Sequence, residues 1–384
     1  MSPATTPSGA LTNPTTTPTL TISPPPSEVA DQWQRVDDAT LSSLTSLQRL
    51  ANVHGSVFAL GHGCADSECA TRLLTTADGE AWTLLEQLGD VGGAVSDFGA
   101  LPDGFVAVGT APSPSHSVQA AAIWTFGVGN AWSPVGPQSL FTVGADGGPG
   151  NENLEIVISS VTQGPLGYLA GGAVRCLECF VTPGSGSRYV AWLSTDGSNW
   201  TRQPWQAGGP EALYRLAADD KRYVGTDGHA VWTSTDGETW SRAMAIDPET
   251  SSLDDVGAGG GRYLAVGTDP QQLAFWRSQD GVSWQRVDGL PSVSAATPER
   301  VEWVAGEWAV IGADSVVPHT PHVPTIWLSA DGLSWQRQVI TDDEYAQAYD
   351  VAAVGGRLVV IGFVGVGGPV GTGTAAAWIG PSLP

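Results

Sequence analysis

A tryptophan hairpin repeated at fixed spacing constrains this chain more than any other feature. Trp232 and Trp240 lie eight residues apart around Ser234, Asp236 and Gly237. Asp-Gly is a strong hairpin signal, because glycine takes positive φ freely and aspartate can accept hydrogen bonds from its own turn backbone. The same spacing recurs as Trp192 to Trp200, Trp276 to Trp284 and Trp327 to Trp335, around Asp196-Gly197, Asp280-Gly281 and Asp331-Gly332. A fifth copy around Asp78-Gly79 has Leu74 for the first Trp and Trp82 for the second. Trp124 and Trp132 keep the spacing without the aspartate.

The hairpin is half of a longer unit. Ahead of each copy runs a short apolar strand expected to end in glycine, at Gly61, Gly109, Gly172, Gly225, Gly267, Gly312 and Gly362. Before that comes another short strand and a turn. Short Val-, Tyr- and Trp-rich strands punctuated by glycine signal an all-β chain, and no stretch sustains a 3.6-residue period. Four strands per roughly fifty-residue repeat is the pattern of a β-propeller blade.

Six outer-strand tryptophans, from Trp82 to Trp335, count six complete blades. The seventh is split. Trp378 has a third-strand context close to the C-terminus, whereas Trp33-Gln34-Arg35-Val36-Asp37 repeats Trp284-Gln285-Arg286-Val287-Asp288, a fourth strand. The expected fold is therefore a seven-bladed β-propeller of four-stranded blades over residues 29–384. It would be closed by pairing the N-terminal strand around Trp33 with the C-terminal strand around Trp378, which removes the open edges. Thirteen of the sixteen tryptophans occupy the two hairpin positions, and they are expected to pack between blades. Arg35, Arg202, Arg242, Arg286 and Arg337 each follow an outer Trp by two residues, as surface staples.

The hairpins resemble the Asp-box (BNR) repeat of sialidase-like propellers, through Ser194, Asp196, Gly197 and Trp200 and their equivalents around Asp236, Asp280 and Asp331, and more loosely around Asp78. They lack the residue that the family places between Asp and Gly. The resemblance implies the propeller fold and assigns these aspartates to structural turns on the face away from the sialidase active site. Sialidases also use three arginines, a Tyr–Glu nucleophile pair, an acidic proton shuttle and an Arg-Ile-Pro motif. No Arg-Ile-Pro occurs here, so the chemistry does not follow from the fold.

Counting twelve residues back from each second-strand glycine aligns the innermost strands. Blade four, whose second strand is shorter, is anchored on Tyr223. The count yields a ring of Arg49, Asp97, Ser160, Arg215, Asp255, Arg300 and Asp350 around the central channel. A self-neutralising ion-pair belt is one reading, a polar pocket floor for an anionic or sugar ligand the other. Arg300 is expected between Asp255 and Asp350, and Arg49 between Asp350 and Asp97. Alternation would turn Tyr214 and Tyr349 away from the ring.

The loops between second and third strands should gather on the face opposite the Asp-Gly turns. They carry Cys64, Cys69, Cys176 and Cys179, expected to pair locally as disulfides Cys64–Cys69 and Cys176–Cys179. They also carry His319 and His322, whose spacing is a weak metal signal. The acidic stretches 146–153 and 342–344 match no defined Ca²⁺ loop and read as solvated turns. Catalytic triads, phosphate-cradling loops and dinucleotide fingerprints are absent, so no cofactor is expected.

A formal charge of −23 makes nucleic acid and anionic membrane surfaces poor partners. No apolar run is long enough for a transmembrane helix. Residues 1–28 are almost uncharged and rich in Thr, Pro and Ser, which reads as an extended linker or stalk. Such a stalk, with paired cysteines, suggests an extracytoplasmic protein with an export signal or membrane tether upstream. The expected function is non-catalytic binding of a protein or glycan at the loop face, by a monomer. A sialidase-like glycoside hydrolase is the alternative, and an assembly factor built on the same repeat the third reading.

Overall fold

A computed structural model describes residues 32–383, apart from position 54 and segments 66–67, 88–92, 113–118, 128–131, 137, 142–153, 177–187, 271, 293–295, 316–321 and 366–372. It contains seven four-stranded antiparallel sheets. Six of them use four consecutive strands, and the seventh combines the last three strands of the chain with the first. In that blade Gln34 pairs with Ile379 and Arg35 with Trp378. The Val36 amide adds a 2.9 Å hydrogen bond to the Ala377 carbonyl. The chain is a closed seven-bladed β-propeller.

The core lies between blades. Seven hydrophobic clusters form, each shared by two neighbouring blades. Each sheet is apolar on both faces, because each face meets another sheet. Third-strand Trp124, Trp192, Trp327 and Trp378 are fully buried in these layers. Fourth-strand tryptophans finish the outer rim, where Trp82, Trp200 and Trp240 are buried too. Trp33 locks the closing strand: its ring lies against Gly380, and its indole N–H donates to Gln338 Oε1 of the preceding blade at 3.1 Å.

The Asp-Gly hairpins form one repeated hydrogen-bond device. In all five, the Ser or Thr hydroxyl accepts the glycine N–H at 2.8–2.9 Å and donates to the aspartate Oδ1 at 2.9–3.2 Å. The same Oδ1 accepts the next two turn amides at 2.7–2.9 Å. Donation from the Ser283 and Val282 amides pulls the Asp280 carboxyl down to about 2, and the Ser334 and Leu333 amides do the same for Asp331. Two of the expected staples close firmly. Arg286 binds Asp269 at 2.8 Å, and Arg337 binds the buried Asp314 at 2.7 Å.

The second strands differ from expectation. They do not end at the glycine but run past it, as in Gly167–Cys176 and Arg262–Thr268. The glycine marks a close approach instead. A Cβ at Gly172 would run into the Val157 carbonyl oxygen, and one at Gly267 into that of Ser252. Each of these carbonyls comes from the innermost strand, immediately before a β-bulge. The bulge presses the backbone onto its neighbour, and only glycine leaves room.

Closure makes a direct prediction. Trp33 is only 6 % exposed, so Trp33→Ala should cost about 3–5 kcal/mol of unfolding free energy. Trp205→Ala, at a ring 47 % exposed, should shift the denaturation midpoint little. Equal midpoint shifts for the two variants in chemical denaturation would contradict the closing role of Trp33.

Candidate functional site at the channel mouth

In six blades the innermost strand carries a register shift, and in each the residue that follows it is a ring residue: Arg49, Asp97, Ser160, Asp255, Arg300 or Asp350. Blade four has a short innermost strand, Arg215–Ala218, that starts at its ring residue without a shift. The innermost strand is a sheet edge with unpaired amides, and the ring side chains reach those of the next blade. Asp97 Oδ2 accepts the Val161 amide at 3.1 Å and the Ser160 hydroxyl at 3.0 Å. Ser160 Oγ in turn accepts the Leu216 amide at 3.2 Å. Asp255 accepts Val301 N–H and Asp350 accepts Leu50 N–H, both at 2.9 Å.

The arginines complete the circuit in the same sense. Arg49 pairs with Asp97 of the next blade at 3.8 Å, Arg215 with Asp255 at 3.8 Å and Arg300 with Asp350 at 3.5 Å. Arg300 also reaches Asp97 at 3.8 Å. It therefore lies between Asp255 and Asp350, as expected, but forms its ion pairs with Asp350, Asp97 and Glu302. Asp255 instead caps the neighbouring Val301 amide and pairs with Arg215. Arg49 likewise pairs with Asp97, while Asp350 turns an oxygen to the Leu50 amide. The ion pairs are long, and Nε of Arg49 and of Arg215 is buried without a hydrogen-bond partner among the described residues. Burial, with the nearby Arg300 charge, pulls the Arg49 guanidinium down to about 10. Arg300 moves the other way, well above its ordinary range, because the charges of Asp350, Glu302 and Asp97 outweigh its burial.

Two carboxyl positions were missed by counting one residue per blade. Glu302 lies two residues beyond Arg300 on the same strand and accepts its Nε–H at 2.9 Å. Strand alternation puts i and i+2 on one face, and that signal was available. The side chain keeps 34 % of its surface, so channel water reaches it. Burial still raises its carboxyl above the ordinary range, against the pull of Arg300. The second position is the bulge itself, which interrupts alternation. Its extra residue is Asp254 in blade five and Glu299 in blade six.

Asp254 and Glu299 line one cleft of about 620 Å³, together with Arg215, Tyr214 and Ser159. Ser252 and Thr297, which begin innermost strands, and Thr268, which ends a second strand, put this cleft on the loop face. Tyr214 thus belongs to the channel mouth with Arg215 instead of turning away. Tyr349 donates to Gln347 at 3.0 Å and stacks on Phe363. Burial raises its hydroxyl, with a contribution from the Glu299 charge. Burial raises the Asp254 carboxyl to about 6, opposed by a hydrogen bond from Ser252 and reinforced by Glu299 and Asp255. It raises Glu299 as well, against the pull of Arg215 and Arg49.

Other candidates do not join this site. His322 opens the third strand of blade six and is exposed, whereas His319 lies outside the described residues. Among the described residues no group of three or more metal-ligating side chains occurs. The backbone of blade one sets Cys64 opposite Cys69. Their side chains, that of Cys176 and all of Cys179 lie outside the described residues. In the acidic stretch 342–344, Asp343 accepts the Tyr345 amide at 3.0 Å.

Neither a family model nor a curated protein matches the sequence. The fold is similar to that of several solved structures. An acylaminoacyl peptidase in complex with a chloromethyl ketone aligns at TM-score 0.51 and 12 % identity, over 90 % of this chain and 53 % of that one. The Pyrococcus horikoshii acylaminoacyl peptidase aligns at TM-score 0.48 and 11 % identity, over 84 % of this chain and 50 % of that one. The β-propeller domain of the Trilobed protease from Pyrococcus furiosus aligns at TM-score 0.49 and 9 % identity, over 87 % and 95 %. The chain spans about half the length of the two acylaminoacyl peptidases.

Two substitutions separate belt from mouth. Asp97→Ala strips a partner from Val161, Ser160 and Arg49 at once, and should cost about 3–5 kcal/mol in equilibrium unfolding. Asp254 behaves oppositely. Its folded value of about 6 lies above the ordinary 3.8, so the folded state holds the proton more tightly. That stabilisation is complete below about pH 4 and lost as pH rises through 6. Asp254→Asn should then exceed the parent by roughly 1–3 kcal/mol at pH 8 and lose the margin by pH 4. A margin independent of pH would contradict the raised carboxyl.

Proposed function

We propose that this protein is a non-catalytic, extracytoplasmic binding module that engages a glycan or protein partner through its loop face. One observation carries the reading: the mouth cleft opens on that face above a belt whose arginines are already paired with aspartates. A rigid closed ring below and variable connections above is the arrangement in which binding residues concentrate. Tyr345, 52 % exposed in the connection between blades six and seven, adds an exposed aromatic side chain on the same face. On the opposite face the turn aspartates are consumed by their own turns.

Glycoside hydrolysis is the competing reading, and one observation favours it. Asp254 and Glu299 are two carboxyl groups with raised proton affinity in one cleft, as acid–base chemistry requires. Against it, Arg49, Arg215 and Arg300 are each committed to an aspartate of the following blade. No free three-arginine clamp for a substrate carboxylate remains in the belt.

A photo-cross-linking residue at Tyr345 should capture a partner from cell-envelope material, and one at Leu333, equally exposed on the Asp-Gly face, should not. Capture from Leu333 alone would reverse the assignment of faces. A fluorogenic sialoside should not be turned over, and turnover abolished by Arg300→Ala would replace the binding reading with the hydrolase one. Mass spectrometry of exported protein with and without reduction should find both local disulfides, and four free thiols would remove that support for an extracytoplasmic location.

A further inference from the structure

The mouth cleft carries more negative charge than its cation balances. Asp254 and Glu299 stand on adjacent blades and share the cleft with Arg215. That guanidinium is engaged below, by the ion pair to Asp255 and a 3.4 Å bond from Nη1 to the Tyr214 carbonyl. The charges acting on the two carboxyls come from several blades: Asp255 from blade five, Arg215 from blade four and Arg49 from blade one, while the Glu299 charge in turn acts on Tyr349 of blade seven. In belt and mouth together, and leaving out Glu302, whose proton affinity burial raises, three arginines stand against five carboxyl groups, Asp97, Asp255, Asp350, Asp254 and Glu299. A ligand that brings positive charge between Asp254 and Glu299 relieves this excess.

The cleft's composition narrows the cation. Ca²⁺ takes six to eight oxygen ligands, and the described residues offer no cluster of three metal-ligating side chains. An ammonium needs only acceptors for three N–H bonds, which two carboxylates supply. The remaining lining is mostly hydroxyl: Ser159, Ser252, Thr268 and Thr297, with Leu253 and Pro298 as the apolar part. A peptide partner would want a buried apolar anchor, whereas a polyol is matched by hydroxyls, carboxylates and a guanidinium edge. The volume of about 620 Å³ suits a short oligosaccharide.

We propose that the cleft binds a glycan bearing a free amino sugar, with its ammonium between Asp254 and Glu299 and neighbouring ring hydroxyls on Arg215 and Ser159. This rests on the reading of the loop face as a partner-binding surface and names the chemistry of the partner. The ammonium requires ionised carboxylates. Protons compete with it at low pH, and affinity rises from pH 5 to pH 7 as Asp254 ionises.

Calorimetric titration of the full chain with a β-1,4-linked glucosamine trimer and its fully N-acetylated counterpart tests this. The free-amine trimer should bind, and the acetylated one at least tenfold more weakly. Asp254→Asn and Glu299→Gln, which keep shape and remove charge, should each weaken the free-amine trimer at least tenfold. Affinity should rise about tenfold from pH 5 to pH 7 in the parent and stay flatter in Asp254→Asn. Equal binding of both trimers, or undiminished binding by both variants, would overturn the ammonium site while leaving a glycan-binding face. Failure of the folded parent to bind either trimer would overturn the site and the glycan reading together. A lysine tripeptide bound as tightly as the free-amine trimer would overturn the choice of sugar.

Discussion

The interaction on which the ring depends is the hand-off from one blade's ring residue to the next blade. All seven joints run in one direction. Asp97, Ser160, Asp255 and Asp350 reach the following blade's edge, three of them through a backbone amide alone and Asp97 through a hydroxyl as well. Arg49, Arg215 and Arg300 reach the following blade's aspartate. A four-stranded blade has a polar inner edge that the hydrophobic layers between sheets cannot satisfy. The two kinds of joint solve this differently. A short acceptor caps the neighbour's N–H directly, while an arginine, having only donors, holds the aspartate that does the capping.

Much of this geometry was legible because the sequence repeats its constraints. The Trp spacing and Asp-Gly turns set the blade count, and the copy of Trp284–Asp288 at Trp33–Asp37 located the closing strand. The ring was found through the second-strand glycines, although for a reason other than strand ends. Gly172 and Gly267 sit where the innermost strand bulges against its neighbour, so each glycine reports the bulge, and the bulge fixes the ring residue. Twelve residues is the distance between two ends of one local distortion.

What counting could not reach was the consequence of that distortion. A bulge puts two residues against one and breaks the alternation used to assign faces. Asp254 and Glu299 were therefore invisible as mouth residues, although each adjoins a ring residue in the sequence. Tyr214 escapes alternation for another reason, because it lies just before the short innermost strand of blade four. Arg300 pairs with the expected Asp350 but also with Asp97, because a linear order of blades says nothing about reach across a narrow channel. Its side chain touches Asp350 on the adjoining blade and Asp97 beyond it. Glu302 was different, since simple alternation from Arg300 would have found it.

The chain's carboxyl groups fall into two populations, and the division separates scaffold from site. In the Asp-Gly turns each aspartate collects two backbone amides and a hydroxyl, so its charge is satisfied locally and its proton affinity falls. At the channel mouth the same chemical group is buried with fewer donors, the Ser252 hydroxyl alone for Asp254, and its proton affinity rises. Fold and family resemblance draw attention to the first population, which is conspicuous by repetition. Unspent electrostatic free energy resides in the second. A partner of positive charge would find nothing to improve at Asp280 or Asp331, whereas at Asp254 and Glu299 it would supply the donors that the protein leaves out.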